Sequence, residues 1–214
     1  MITEQTQLEA PLTLTDKQVF TEIWISPRKV FKFINDNHYD KYANVLLFFA
    51  GVSRAFDRAS LKDMGDTMSL GTIIGVSIFV GGLLGWISFY FYAALVSWTG
   101  DWLKGKGDTR SILRVFAYAM LPAIFALVFL IPQISIYGIG MFQSDGDVTS
   151  AGLLANIFVY GSMICELVLG IWAMVLVVVG VSEVQKLSIG KAILNLLLPV
   201  LLFVPLIMLI ALII

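Results

Sequence analysis

Four long stretches of the sequence carry almost no charge, and they constrain the fold more than any other feature. They are residues 67–100, 115–144, 148–182 and 192–214. A helix needs about 20 apolar residues to cross a hydrocarbon layer about 30 Å thick, and each stretch supplies them. Hydrophobic residues make up 58% of the chain and charged residues 14%, too few to cover a soluble domain. The sequence therefore predicts an all-α, polytopic membrane helical bundle.

A shorter apolar stretch, residues 42–53, decides whether the chain crosses the membrane four or five times. Extended to about residues 41–61 it is long enough, but it then takes Arg54, Asp57 and Arg58 into the membrane. Short cytoplasmic loops are rich in Lys and Arg, and the basic residues concentrate on one side only if this segment spans. We therefore predict five transmembrane helices, with the N-terminus cytoplasmic and the C-terminus outside. The five-helix domain is residues 41–214, with spans at about 41–61, 70–98, 113–141, 152–180 and 192–213.

Residues 1–40 precede these spans and are predicted to form a cytoplasmic tail. Thr15 and Gln18 have the spacing of a capping box, and Ser26 followed by Pro27 is typical of a second helix start. One apolar face would hold Val19, Phe20, Ile23 and Trp24 in the first helix, and Val30, Phe31 and Ile34 in the second. Aromatic and basic residues on short amphipathic helices favour an interfacial position on the membrane surface. The alternative is a small cap packed against the loops.

Two internal patterns bear on how the spans pack. "SILRVFAYAMLP" (111–122) and "SIGKAILNLLLP" (188–199) align without gaps, each starting at a predicted cytoplasmic loop. They indicate a possible parallel repeat of two helical hairpins, although apolar helices also resemble one another by composition. Ser77, Gly81 and Gly85 stand four residues apart in the second span, which favours close helix approach inside the protein.

Glu166 is the only charged residue within 148–182. A charge at the bilayer centre costs about 2.5 to 3.5 kcal/mol, so it should face the bundle interior and have a partner. At a rise of about 1.5 Å per residue, Arg54 and Arg58 lie within one turn of the same depth. We therefore hypothesise an intramembrane charge cluster of Glu166, Arg54, Arg58 and Asp57, with Glu166 paired to one arginine. The pair would either secure helix assembly or mark a proton or cation site.

The motifs of enzyme chemistry are weak in this sequence. "GDWLKGK" (100–106) lacks the Ser or Thr that completes a phosphate-binding loop and follows a membrane helix rather than a strand. The single histidine, His38, excludes a multi-histidine metal site, and Asp36, His38 and Asp40 are more typical of a polar helix end. A net charge of −1 gives no field for nucleic acid. We expect neither catalysis nor a cofactor nor a metal.

Several segments in order along the chain carry a family resemblance. They are "IWISPRKVFKFI", "GVSRAFDRAS", "GGLLGWI", "WTGDWLKGKGDTRSILRVFAYAMLP" and "GVSEVQKLSIGKAIL". Together, over about residues 20–200, they resemble the Yip1 family of five-span membrane proteins in its bacterial branch. The resemblance implies a bacterial cytoplasmic membrane and a general membrane role. Eukaryotic relatives are associated with vesicle traffic and Rab-type GTPases, but this sequence lacks their "DLYGP" motif, so a GTPase partner is not implied.

Two functions agree with these features. The first is a non-enzymatic membrane organiser or adaptor that meets lipid headgroups or a membrane or cytoplasmic protein partner. Its candidate contacts are Arg28, Lys29, Lys32, Arg110, Arg114, Lys186 and Lys191. The alternative is a small transporter or channel for protons, cations or a small solute, built around Glu166. Polar residues at the depth of Glu166 are few, which favours the organiser, and the oligomeric state is left open.

Overall fold

A computed structural model describes residues 12–147 and 152–213, with side chains described as far as Phe203 in the last helix. Within these residues the chain is helical and has no strand. The helices are α1 (Asp16–Glu22), α2 (Pro27–Asp36), α3 (Ala43–Leu61), α4 (Leu70–Val76), α5 (Gly82–Trp102), α6 (Thr109–Ala119), α7 (Leu121–Tyr137), α8 (Leu153–Gln185) and α9 (Ile189–Ile213). A π-helical turn, Ser77–Gly81, joins α4 to α5, and 3₁₀ turns lie at Met64–Asp66 and Gly138–Phe142.

Three helical stretches with described side chains are long and apolar enough to cross a membrane. They are Leu70–Trp102, Thr109–Phe142 and Leu153–Gln185, which correspond to the second, third and fourth predicted spans. Helix α3 forms most of the first predicted span but contains three charged residues, and α9 forms the fifth. The helical membrane bundle is confirmed in this coarser form, whereas five membrane crossings stay a prediction.

The third predicted span is interrupted at Met120, just before its first proline. Helix α6 ends at Ala119, Met120 lies between the helices, and α7 begins at Leu121 with Pro122 in its first turn. Proline is accepted there because the first N–H groups of a helix have no partner within that helix. The corresponding Pro199 lies inside the continuous α9. The two halves of the possible repeat therefore differ at this position, and the repeat stays a prediction.

Helix α3 packs against the second span through glycines on both sides. A Cβ atom added to Gly51 would lie 2.5 Å from the carbonyl oxygen of Gly81 and 2.9 Å from the Cα of Gly85. Ala55 lies on the next turn of α3, and a Cβ added to Gly81 would overlap its side chain. The small residues of the second span therefore make an internal helix contact, which confirms that part of the sequence analysis.

The N-terminal helices are part of the bundle. The capping box between Thr15 and Gln18 is formed, and Pro27 is the first residue of α2, as predicted. The apolar faces expected at the membrane interface are instead buried in the protein, which corrects that expectation. The residues at most 1% exposed are Val19, Ile23, Val30, Phe31 and Ile34. They share one apolar core with residues of α6 and α8, and α2 packs directly against both of these helices, because an apolar face gains as much by covering protein as by entering lipid.

The turn that connects α5 to α6 and the turn that connects α8 to α9 lie at the same end of the bundle as α1 and α2. The backbone N–H of Lys106 donates to the carbonyl oxygen of Gln185 at 3.1 Å and joins the two turns. We call this the loop end. The opposite end has its own small core around Phe56 and Phe142, and Ser144 Oγ donates there to Asp66 at 2.7 Å. The polar groups described next lie at these two ends.

Candidate functional site

One buried glutamine connects the two turns of the loop end. Gln185 is fully buried, and its Oε1 accepts a hydrogen bond from the backbone N–H of Gly107 at 2.9 Å. Its Nε2 donates to the carbonyl oxygen of Val96 at 3.5 Å. A Cβ on Gly100 or Gly105 would overlap the Gln185 side chain, so these glycines make room for it. Gln185 was not among the predicted site residues, since it stands in a polar stretch of the sequence between two uncharged runs.

Asp16 ties α1 to the start of α3. Its carboxylate accepts hydrogen bonds from the hydroxyls of Tyr39 at 2.7 Å and Tyr42 at 2.8 Å, and it pairs with Lys41. The hydrogen bonds from Lys41, Tyr39 and Tyr42 lower the pKa of the Asp16 carboxyl to about 2. Burial, followed by the bond to Asp16, raises the pKa of the Tyr39 hydroxyl. The tail is thereby held by charge-assisted hydrogen bonds as well as by its apolar face.

Arg114 was expected to reach lipid or a partner, and the structure corrects this. Its side chain is only 8% exposed and pairs through Nε with the carboxylate of Asp40. Its Nη1 lies 3.3 Å from Nδ1 of His38. His38 and Asp40 therefore both contact the guanidinium of Arg114 on α6. Arg114 holds α6 to the segment before α3 and is not available at the surface.

The other basic residues named as candidate contacts lie on the outside of the loop end. Arg28, Lys29 and Lys32 are exposed on α2. Arg110, Lys186 and Lys191 are exposed beside the two turns, together with Lys104 and Lys106. Lys29 forms an ion pair with Glu22 at 2.7 Å and Lys186 with Glu183 at 2.8 Å. We call these eight residues the basic rim.

A small polar cavity lies between α3, α7 and α8, away from the loop end. It has a volume of about 220 Å³. Glu166 Oε1 accepts a hydrogen bond from Gln133 Nε2 at 2.8 Å, and the same nitrogen lies 2.7 Å from Ser162 Oγ. Gln133 is 3% exposed, so its amide is fixed by these two partners. Asp57 and Ser53 line the cavity from the α3 side.

A larger cavity of about 660 Å³ lies on the other side of α3, against the second span. Arg54, Asp57, Arg58 and Lys62 line it from α3. The guanidinium carbon of Arg54 lies 4.1 Å from the ring centroid of Phe89, a cation–π contact with α5. Asp57 borders both cavities.

The predicted charge cluster is thus divided between two cavities. Among the described residues, the ion pairs within 4.0 Å do not include Glu166, Arg54 or Arg58. The structure gives Glu166 the amide of Gln133 as its partner and brings Asp57 to the same cavity. A signal was present in the sequence, since Gln133 is a polar residue in the middle of an uncharged run, but it was not among the polar residues predicted to lie at the depth of Glu166.

Comparison with known proteins identifies a family for this chain. The family model described as the Yip1 domain matches residues 21–210. No curated protein and no solved structure matches the chain. The matched range includes α2, the two cavities and the basic rim, so these features all lie within the family's domain.

Proposed function

Because the chain belongs to the Yip1 family, we propose that this membrane protein acts as a non-enzymatic organiser or adaptor. The family is not known for an enzymatic activity. The proposal rests on one observation, the way the N-terminal helices are fixed to the bundle. Since α2 buries its apolar face on α6 and α8, its basic residues Arg28, Lys29 and Lys32 are exposed beside the two turns. The basic rim is therefore a surface of defined shape on an ordered part of the protein.

The basic rim suits contact with anionic headgroups at the membrane surface. A Lys or Arg close to a negatively charged leaflet contributes about 1 kcal/mol of attraction. Concentration of basic residues at one end is also the pattern of a cytoplasmic side, which supports a cytoplasmic N-terminus and an outside C-terminus. We further propose that the membrane in question is the bacterial cytoplasmic membrane. The organiser would bring this surface against lipid headgroups or an acidic protein partner.

Charge reversal of the basic rim tests the organiser proposal. We expect proteoliposomes with outward-facing loop ends to cluster phosphatidylglycerol-containing vesicles, as measured by light scattering. Changing Arg28, Lys32, Arg110 and Lys191 together to glutamate should reduce clustering at least about ten-fold, because four attractions of about 1 kcal/mol become repulsions. High salt should have a similar effect on the wild type.

The matched control exchanges lysine and arginine at the same four positions, which keeps every charge. This variant should cluster vesicles as the wild type does. Equal clustering by the glutamate variant, or no clustering by the wild type at low salt, would contradict headgroup binding by the basic rim. A protein partner would then have to be sought by cross-linking from Arg110.

A second candidate function, transport of protons or small cations, is supported by the smaller cavity. A pathway needs several polar groups at one depth, and the cavity gathers Glu166, Asp57 and Gln133 from three helices. The hydroxyls of Ser53 and Ser60 add to this lining. Intramembrane carboxylates commonly mark proton or ion pathways. The cavity therefore offers more polar groups around Glu166 than the sequence indicated.

Flux through proteoliposomes tests this candidate. If the cavity conducts protons or Na⁺, Glu166→Gln and Asp57→Asn should each reduce the flux, followed with a pH- or Na⁺-sensitive dye, to the level of empty vesicles. The expected loss follows because each change removes one of the two carboxylates that line the cavity among the described residues. Asp101→Asn, at an exposed position of the loop end, is the matched control and should keep the flux. Wild-type flux equal to that of empty vesicles would rule the transporter out.

A further inference from the structure

The larger cavity beside α3 combines three positive charges with an apolar wall. Arg54, Arg58 and Lys62 stand four residues apart, so they form one stripe along α3. The opposite wall contains Val80 and Leu84 of the second span. The volume of about 660 Å³ falls within the range of about 300 to 1,000 Å³ that is typical of ligand sites. The cavity is thus shaped for a molecule with an anionic part and an apolar part.

Among the described residues that line this cavity, the positive charges outnumber the negative ones. One carboxylate, Asp57, faces the three cations, and none of the three forms an ion pair within 4.0 Å among the described residues. Arg54 is held against the Phe89 ring, which orients the guanidinium but leaves its N–H groups available. Cations at membrane depth are costly without an anionic partner. The site therefore lacks a negative charge that a ligand would bring.

The position of the positive charges along α3 indicates what kind of ligand supplies the negative charge. Lys62 caps the end of α3, and Arg54 lies about 12 Å deeper along the helix axis. A lipid headgroup at the membrane surface would lie beside Lys62 and Arg58, with the positive charge of Arg54 deeper in the cavity. Val80 and Leu84 are 45% and 56% exposed and lie where an acyl chain would run. A soluble anion would leave this apolar wall unused.

We propose that this cavity binds one anionic phospholipid between α3 and the second span. Its phosphate contacts Arg58 and Lys62, Arg54 completes the positive site from below, and one acyl chain covers Val80 and Leu84. This binding site lies away from the basic rim and does not depend on the organiser role. Its occupant is a lipid bound in place within the bundle, whereas the basic rim would meet a membrane surface or a partner.

Native mass spectrometry and thermal unfolding of the detergent-purified full-length protein test the proposal with three probes. Phosphatidylglycerol should bind at least about ten-fold more tightly than phosphatidylcholine, because only its headgroup carries a net negative charge. Inorganic phosphate should neither stabilise the protein nor displace the lipid. Arg54→Gln and Arg58→Gln should each weaken phosphatidylglycerol binding about ten-fold, since each removes a charge-assisted hydrogen bond.

Two further variants keep the test decisive if an arginine variant does not fold. Leu84→Trp places a larger side chain in the cavity at an exposed position and should abolish the preference for phosphatidylglycerol. Lys17→Gln, an exposed charge on α1, should leave it unchanged. Equal binding of the two lipids, full binding by the Arg58→Gln and Leu84→Trp variants, or displacement of the lipid by inorganic phosphate would each overturn the proposal.

Discussion

Replacing Gly51 by leucine is expected to separate α3 from the second span and to leave little folded protein. A Cβ at this position would lie 2.5 to 3.2 Å from backbone atoms of Gly81, Gly82 and Gly85. Backbone on the opposite side cannot rotate away as a long side chain can, so a whole helix must shift. Overpacking of this kind costs about 3 kcal/mol, which is a large part of the stability of a typical domain. Thermal unfolding of the purified protein, followed by fluorescence-detected gel filtration, measures the loss.

Gly75 provides the matched control for this substitution. It lies in α4, in the same predicted span as the contact glycines, but no atom of the surroundings lies within 4 Å of an added Cβ. Gly75→Leu should be neutral or slightly stabilising, because leucine favours a helix over glycine by roughly 0.5 to 1 kcal/mol. Similar unfolding temperatures for the two leucine variants would show that the close contact between α3 and the second span is not formed.

Gln185→Leu is expected to loosen both turns of the loop end at once. Leucine fills about the same volume but leaves the N–H of Gly107 without its acceptor. This donor is partly buried, so the loss of its acceptor costs at most about 1 to 3 kcal/mol, and the donation to Val96 is lost as well. We expect a lower unfolding temperature and faster hydrogen exchange in residues 103–108, far along the chain from the substitution.

Gln143→Leu is the control for the glutamine substitution. Its amide donates to Gly65 over a longer distance, 3.4 Å, at the opposite end of the bundle, and its side chain is only half-buried. The effect on stability should be much smaller, and exchange in residues 103–108 should not change. If Gln185→Leu leaves exchange in that turn unaltered, the glutamine does not connect the two turns.

Local sequence signals predicted the helices well. Three of the four uncharged runs correspond to the three long apolar stretches, the capping box at Thr15 is formed, and Pro27 and Pro122 lie in the first turns of α2 and α7. Each of these features depends on residues within one or two turns of each other. Composition and spacing therefore contained the necessary information.

The partners of the polar residues depend on how each helix is rotated about its own axis. The depth of a residue along the helix does not reveal this rotation. Counting residues placed Glu166 level with Arg58, but Arg58 lines the cavity on the α5 side of α3 and Glu166 the cavity on the α8 side. The pairing of Arg114 with Asp40 joins positions distant in sequence and could not be inferred from either neighbourhood. An amphipathic face likewise shows that a helix covers an apolar surface, without showing whether that surface is lipid or protein.

The docking of α2 on α8 also bears on the order in which the protein is made. Phe31 of α2 packs beside Gly180, where an added Cβ would lie 3.1 Å from its ring. Synthesis runs from the N-terminus, so α2 leaves the ribosome long before the segment it covers has been translated. Its apolar face cannot pack on α8 until the fourth predicted span has been inserted, and until then it is exposed or covered by another molecule. The first helices to be made are therefore among the last to reach their final place.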